Sequence, residues 1–449
     1  MVIPITSIPQ SIVDGLNPYR DLFPRSESFQ HLMEYATGLI VLEKPSIRKL
    51  SECLVDGPDQ SCINKMLTQS PWDDEAINQR RLEIIAPHYK GKGLIVVGIL
   101  DSTLLHHPRS ENIYGAYKYW DYVNNCYTKG IQLVTSAIST DERCDGFDYR
   151  IYHRFFKEAE EAYLKVTCPN ITEENRPELI HYLADLLAHI NNKRKHKTKP
   201  QLAVEVIEDM EESNLAPDVY VVDSGLFAPV VIQKIESLEK PWVADSEKSR
   251  VLVDSGKKYN LSTYESQLPL KAFRVVTITI HGKKRTFYVF TKVVRIRKYG
   301  KVRLAIIYDN PDRKGNPIFC FTNKLYWEAK KILTVRTRRW DIEPFHEQMK
   351  QFLGVEDSQL QNEKGVRRHL TLVFVVNSLL QSLQMEEPVL GLSMEGRRED
   401  SQWTFGQRCL RIVLEVFENL IHKIIQWFSE EQLTSHEIFQ KLFMKTCKA

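Results

Sequence analysis

Leu94-Ile95-Val96-Val97-Gly98-Ile99-Leu100-Asp101 is a seven-residue apolar run, rich in β-branched side chains, that closes on a carboxylate. Gly91-Lys92-Gly93 precedes it, so the run is too short and too sharply bounded for a helix. Continuous rather than alternating hydrophobicity predicts a strand buried on both faces, as in a parallel sheet covered by helices. An aspartate where such a strand ends is expected to be held rigidly at the sheet edge. The same pattern recurs at Asp218-Val219-Tyr220-Val221-Val222-Asp223, followed by Ser224-Gly225 and a helical stretch over 227–238. The two aspartates are 223 − 101 = 122 residues apart.

Outward from these runs, Ile131–Ile138 and Phe147–Tyr152 read as strands of an antiparallel meander, with a loop over 102–120 that carries His106, His107 and many tyrosines. Helices are expected over 177–191 and 199–213, and a short strand at Trp242–Asp245. From 251 to 323 the signal is β, with turns at His281-Gly282-Lys283, Tyr299-Gly300-Lys301 and Lys314-Gly315-Asn316. Residues 1–25 are Pro-rich and read as an irregular arm. Short helices follow up to Pro87, broken at Pro45, at Asp56-Gly57-Pro58 and at Ser70-Pro71. That pattern suits either a helix-turn-helix reader of DNA or a packing domain. Residues 370–385 predict a buried helix, and 403–428 a long amphipathic one suited to packing or dimerisation. The fold class is therefore α/β. The expected units are an N-terminal helical, DNA-binding domain at 1–90, a core at 91–250 and 326–385, a β-rich insertion at 251–325, and C-terminal helices at 386–449.

The 449 residues are 43% hydrophobic and 27% charged, as in a globular protein, and no run of about 18 apolar residues suggests a membrane span. With no leader-like pattern, a cytoplasmic, nucleoid-associated location is expected. Eight scattered cysteines without a C-x-x-C pair read as free thiols rather than a disulfide framework or a zinc site. The net charge of +3 does not by itself imply nucleic acid. Basic clusters at 193–199, 283–285, 292–303 and 336–339 suit either a polyphosphate or a solvated face.

A third acidic element lies at Arg336–Lys350, R-T-R-R-W-D-I-E-P-F-H-E-Q-M-K. Trp340, Ile342 and Phe345 have helical spacing toward a core, which leaves Arg339, Glu343, Glu347 and Lys350 on the opposite face. Alone, this is either a surface ion-pair ladder or part of a phosphate-handling site. With Asp101 and Asp223 it makes three carboxylates from different elements, the set needed to hold two magnesium ions about 3.5–4 Å apart for in-line phosphoryl transfer. Histidine suits magnesium poorly, so His106 and His107 read as loop residues. Ser102 and Ser224 lack an adjacent base for nucleophilic catalysis.

In these stretches the chain resembles the DDE-class insertion-sequence transposases of the Y-R-E-K group in the IS-four superfamily, and most of all their IS-seven-zero-one family. The resemblance rests on G-L-I-V-V-G-I-L-D-S-T ending at Thr103, D-V-Y-V-V-D-S-G at Asp218–Gly225, and R-W-D-I-E-P-F-H-E-Q-M-K-Q-F-L-G at Arg339–Gly354. Shorter matches lie at 38–42, at Ser70–Asp73 and at His196–Ala203. It implies a ribonuclease H-like catalytic core with an inserted β-rich domain. It also implies Asp101, Asp223 and Glu343 as catalytic and metal-binding residues, Mg2+ as cofactor with Mn2+ as a possible substitute, and Arg339 and Lys350 on DNA phosphates. Arg336 stands where the family pattern has tyrosine and is expected, with Lys248 and Arg250, to contact DNA. The implied partners are terminal inverted repeats, target DNA and a second copy of the chain, with no membrane. Other readings of the same residues are a catalytically silent DNA-binding descendant or a metal-dependent nuclease.

Overall fold

Side chains of a strand alternate between the two faces of a sheet, and in this chain that alternation decides where the acids end up. In the computed structural model, which describes residues 3–90, 93–154, 195–280, 282–383 and 403–443 together with 184, 187 and 191, the centre of the sheet is three parallel strands. These are β1 (Val97–His106), β5 (Val219–Val222) and β6 (Trp242–Asp245), paired in that order. On the far side of β1 lies the antiparallel meander β2 (Ala116–Asp121), β3 (Cys126–Ser139) and β4 (Cys144–Ile151). β3 pairs with β1 along one edge and with β2 and then β4 along the other.

Ile99, Val221 and Val243 face one hydrophobic core, and Leu100, Val222 and Ala244 face the other. Asp101, Asp223 and Asp245 stand two residues beyond the first set. They therefore point to the face covered by α10 (Ile342–Phe352), whose Ile342, Phe345 and Met349 belong to that same core.

β1 is offset from its sequence expectation. It begins at Val97 and runs through Asp101 to His106, so Asp101 lies within the strand rather than at its end. The parallel ladder with β5 stops at Leu100–Val222, but the antiparallel ladder with β3 continues to His106–Gly130 and keeps the backbone paired. The expected loop over 102–120 is thus shortened to 107–115, between the end of β1 and the start of β2. The β-rich block continues the same sheet. β12 (Ile318–Thr322) pairs with β6, and β11 (Gly300–Tyr308), β10 (Lys283–Ile296), β7 (Val251–Asp254) and β8 (Lys257–Asn260) follow outward, with β9 (Arg274–Ile280) on β10.

The N-terminal helices α2 (Ser26–Val41), α3 (Ile47–Cys53), α4 (Gln60–Thr68) and α5 (Asp74–Ile85) are separated at the expected breaks. Ser46, Asp59 and Asp73 cap the last three by accepting hydrogen bonds from backbone N–H groups. Residues 3–25 are not an arm. They form α1 (Gln10–Leu16) and a 3-10 turn at Asn17–Leu22, and they bury Ile5, Ile12, Leu16, Tyr19 and Phe23. Pro9 and Pro18 sit at the starts of these turns, where a missing N–H costs nothing, so the prolines shape the segment rather than dissolve it.

α6 (Lys199–Glu212) and α7 (Pro229–Ser237) cover the second core, and α8 (Leu261–Ser266) lies in the β-rich block. The helix expected over 177–191 lies almost wholly outside the described residues. α9 (Ala329–Thr337) leads into a 3-10 turn at Arg338–Asp341 and then α10, so Arg336–Lys350 is a broken helix rather than a continuous one. α11 (Glu363–Ser382) packs against α2, α4 and α5 as well as against α10 and β4. α12 (Phe405–Ser429) lies against α2, and α13 (Ser435–Phe443) ends the described chain. Among the described residues no helix is long and apolar enough to cross a membrane, and the six described cysteines are free thiols.

Candidate active site

Asp101, just past the end of the parallel ladder with β5, Asp223, the residue after β5, and Asp245, the last of β6, come to one place. Asp101 is 8% exposed and accepts a hydrogen bond from the Ser102 N–H at 2.7 Å. Asp223 accepts from the Gly225 N–H at 3.0 Å and so caps the turn that follows β5, while its own N–H donates to the Leu100 carbonyl at 3.0 Å. That last bond fixes the two aspartates on adjacent strands. Asp245, the last residue of β6, completes the row.

α10 brings Glu343 over this row. Its seat is set by Phe345, whose ring lies against Gly146 of β4: a Cβ there would come within 2.2 Å of Phe345 Cζ. Any larger residue at 146 would displace the helix that carries Glu343. Phe345 also packs edge-on against Phe374 of α11, with centroids 4.9 Å apart. The Glu343 carboxylate itself is about half exposed, at 53% of its side-chain surface, and open to a ligand.

Arg339 stands among the acids. Its Nη1 lies 3.6 Å from Asp101 and 3.5 Å from Asp223, its Nε 3.2 Å from Asp245, and its Nη2 2.8 Å from Glu343. Of these, the contact to Glu343 is the short, charge-assisted hydrogen bond, whereas the Nε contact to Asp245 is unaligned. Burial, and then the charge of Asp223, push the Asp101 carboxyl up to about 7, against the pull of Arg339 and the Ser102 N–H. Four carboxylates face two guanidiniums here, Arg339 and Arg336, so the cluster carries an excess of negative charge with hard oxygen donors.

Arg336 does not reach outward. It is 3% exposed and grips Asp245 bidentately, Nε to Oδ1 at 3.0 Å and Nη2 to Oδ2 at 2.6 Å, with its guanidinium 4.7 Å from the Trp340 ring centroid. The expected DNA contact by Arg336 is thus corrected to a buried support for Asp245. A flat, bidentate cation fits that carboxylate as a tyrosine ring could not. Lys350 turns away from the cluster, donating to the Leu104 carbonyl at 2.8 Å, with Glu356 at 3.8 Å. The structure therefore brings together Asp101, Asp223, Glu343 and Arg339, and leaves Lys350 to one side. Lys248 is exposed on the segment after β6. Arg250 stacks on Phe227 at 4.2 Å and donates to its carbonyl at 3.1 Å.

Sequence reasoning missed three residues around the site. Asp245 was read only as part of a strand; its signal is the same strand-end aspartate pattern, on a strand of four residues. His346 is neutral, pushed down to about 3 by burial and then by the charges of Lys350 and Arg339, and it bonds Thr135 Oγ1 at 2.8 Å. Thr135 in turn lies opposite Asp101 in the β1–β3 ladder. Lys199, first residue of α6, is lowered by burial and by Arg154, against the opposing pull of Asp223 and Asp101. No sequence signal separated it from its basic neighbours.

The donor set suits a hard divalent cation better than a soft one, because it is all carboxylate oxygen. Among the described residues no three His, Cys, Asp or Glu side chains are grouped so as to hold a metal ion as they stand, and Arg339 lies between the acids. No curated protein matches the chain. Residues 186–378 match the family model of the transposase DDE domain, a span that includes Asp223, Asp245, Arg339 and Glu343, with Asp101 N-terminal to it and joined to the others through the sheet. That match supports a DDE-type transposase, a polynucleotidyl transferase whose partner is DNA and whose chemistry generally uses divalent metal ions.

Proposed function

We propose that this chain is a DNA transposase that binds the terminal inverted repeats of its own element, cleaves them and joins the 3′ ends to target DNA. One observation carries the reading: three aspartates on one sheet face, where the parallel pairing of neighbouring strands ends, faced by Glu343 from a helix. The strand order β4-β3-β1-β5-β6, with only β3 antiparallel to the central three at their junction, supports a ribonuclease H-like core formed by 91–250 and 326–385. The block at 251–325 is its insertion, helices within 1–90 read the repeat, and 386–449 is the C-terminal helical region. Two copies hold the two ends, and the work takes place in the cytoplasm, at the nucleoid.

Asp101, Asp223 and Glu343 are the residues that would hold two magnesium ions, with manganese as a substitute. Bound there, the ions supply Lewis-acid activation of an attacking oxygen and neutralisation of a leaving one. Asp245 and Arg336 lock each other in place behind that row. Arg339, whose guanidinium fork already spans the acids, is positioned to grip a phosphate of the strand being cut. Lys248 and Arg250, which follow β6 at the same edge, extend the cationic border along which the DNA backbone runs.

The test is cleavage and strand joining on the element's own end DNA with magnesium. Asp101→Ala, Asp223→Ala and Glu343→Ala are each expected to reduce both reactions about a thousandfold or more, with DNA binding retained. Full cleavage by any one of them sinks the assignment. Cleavage by the parent without joining and without preference for repeat ends would instead indicate a general nuclease, and binding without cleavage a silent descendant.

A further inference from the structure

The β2–β3 hairpin projects beyond the catalytic edge and presents side chains that the site does not use. β3 runs antiparallel to β1, so its first residues extend past the carboxyl-terminal end of β1, beyond the pair His106–Gly130. Thr135 is opposite Asp101 and Tyr127 is 135 − 127 = 8 residues further toward the tip. At about 3.3 Å per residue, the tip lies roughly 26 Å from the cluster.

The two faces of this hairpin differ. On one, Tyr119 donates to the Tyr152 carbonyl at 2.9 Å and Tyr117 bonds His153 at 2.8 Å, so both are packed down. On the other, Lys118 pairs across the strands with Lys129, and Trp120 with Tyr127. The two rings meet edge to face at 5.1 Å, and Lys118 Nζ lies 5.6 Å from the Tyr127 centroid. Trp120 is 40% exposed, Tyr127 64% and Tyr122, at the tip, 84%. The tip is nevertheless built. Asp121 accepts hydrogen bonds from Val123 N–H at 2.9 Å and Asn124 Nδ2 at 2.7 Å, and bonds His106 Nε2 at 2.9 Å. His106 is held in turn by Glu356, in the segment after α10. Exposed aromatics on a frame this firmly tied lose little freedom on contact with a partner.

We infer that this face is a DNA-contact surface, with Lys118 and Lys129 on backbone phosphates and Trp120, Tyr122 and Tyr127 stacked on unpaired bases of the strand leaving the carboxylate cluster. It rests on the transposase reading. Paired cations set against exposed rings are the combination that binds single-stranded nucleic acid, where lysines follow the backbone and rings accept any base face. The reach of roughly 26 Å corresponds to about seven or eight nucleotides at about 3.4 Å each.

The test uses the full chain and two probes: a random-sequence duplex of about 40 base pairs, and the same duplex with a central bubble of about eight unpaired nucleotides. The parent is expected to prefer the bubble. The Trp120→Ala/Tyr127→Ala double variant is expected to lose about tenfold or more of its affinity for the bubble and little for the duplex. Lys118→Ala/Lys129→Ala is expected to weaken binding to both and to lower the slope of log affinity against log salt by about two. Tyr122→Ser, at the most exposed of the three hairpin rings, repeats the aromatic test should the double variant fail to fold. Parent-like binding by all variants overturns the inference, as does an aromatic variant that alters self-association in light scattering while DNA binding stays the same. If the parent binds neither probe, the transposase reading falls with it; if the parent binds and the variants match it, only the hairpin inference falls.

Discussion

Arg368 and Arg339 are two enclosed guanidiniums with opposite surroundings. Arg368 of α11 is fully buried, lies 3.9 Å from the Trp72 ring centroid, and donates to the carbonyls of Met66, Leu67, Ser70 and Trp72. Its partners are neutral dipoles already fixed by the chain, and they tie the end of α4 and the turn after it to α11. Arg339 is set among four carboxylates, with more negative charge around it than it can balance. The first arrangement joins elements and asks nothing of solvent. The second is held together by the surrounding fold and leaves an excess of negative charge that a bound divalent cation would offset.

Breaking the structural member of this pair is expected to have the largest effect on stability. Arg368→Met leaves four carbonyls to find new partners and is expected to lower unfolding free energy by about 3 kcal/mol, read as a shift of the denaturant midpoint. Activity per folded molecule is expected to stay unchanged. Gly146→Ala acts between the two regions. Crowding Phe345 is expected to cost about 1–3 kcal/mol and, by moving Glu343, to reduce DNA cleavage in the protein that remains folded.

The smallest effects are those of pH, and they sharpen the contrast because the two regions titrate with opposite sign. Asp101 in the folded chain is raised to about 7 from its ordinary value near 3.8, so between those values the folded state binds more protons than the unfolded one. Its contribution therefore falls as pH rises through that window. His369, buried between Tyr35 and the Val355 carbonyl, is lowered to about 4 from 6.5, mainly by burial. Stability at His369 is therefore lost as pH falls from 6.5 toward 4. Without added metal, Asp101→Asn is expected to raise the melting temperature by a few degrees at pH 8 and not at pH 4, whereas His369→Gln is expected to flatten the acid side alone.

The runs ending at Asp101 and Asp223 were legible because a strand covered on both faces must be apolar throughout, and few other structures need such a run. The pairing of Arg339 with Glu343 was legible because residues four apart meet on a helix, even across the 3-10 turn that interrupts this one. Arg336 was misread for the complementary reason. Its partner, Asp245, is 91 residues away, and no local spacing reveals that a cation will be folded inward. Residues 3–25 were misread because prolines mark both disorder and the first turn of a helix, and only burial separates the two. Tyr117, Lys118, Tyr119 and Trp120 carried a strand's alternation, but with aromatic residues on both faces the period of two was masked.

α11 connects distant parts of the molecule as well as packing between them. It is 20 residues long, about 30 Å at 1.5 Å per residue, and continuous from its Asn362 cap. Arg367 ties its first half to Asp74 of α5 at 3.0 Å, and Asn377 ties its second half to Gln348 of α10 at 3.0 Å. One rigid rod thus spans from the N-terminal helices to the helix that carries Glu343. On the proposed function, a duplex gripped at one end of this rod would be gauged against Glu343 at the other, and the spacing between the recognised sequence and the broken bond would be set by the length of a helix.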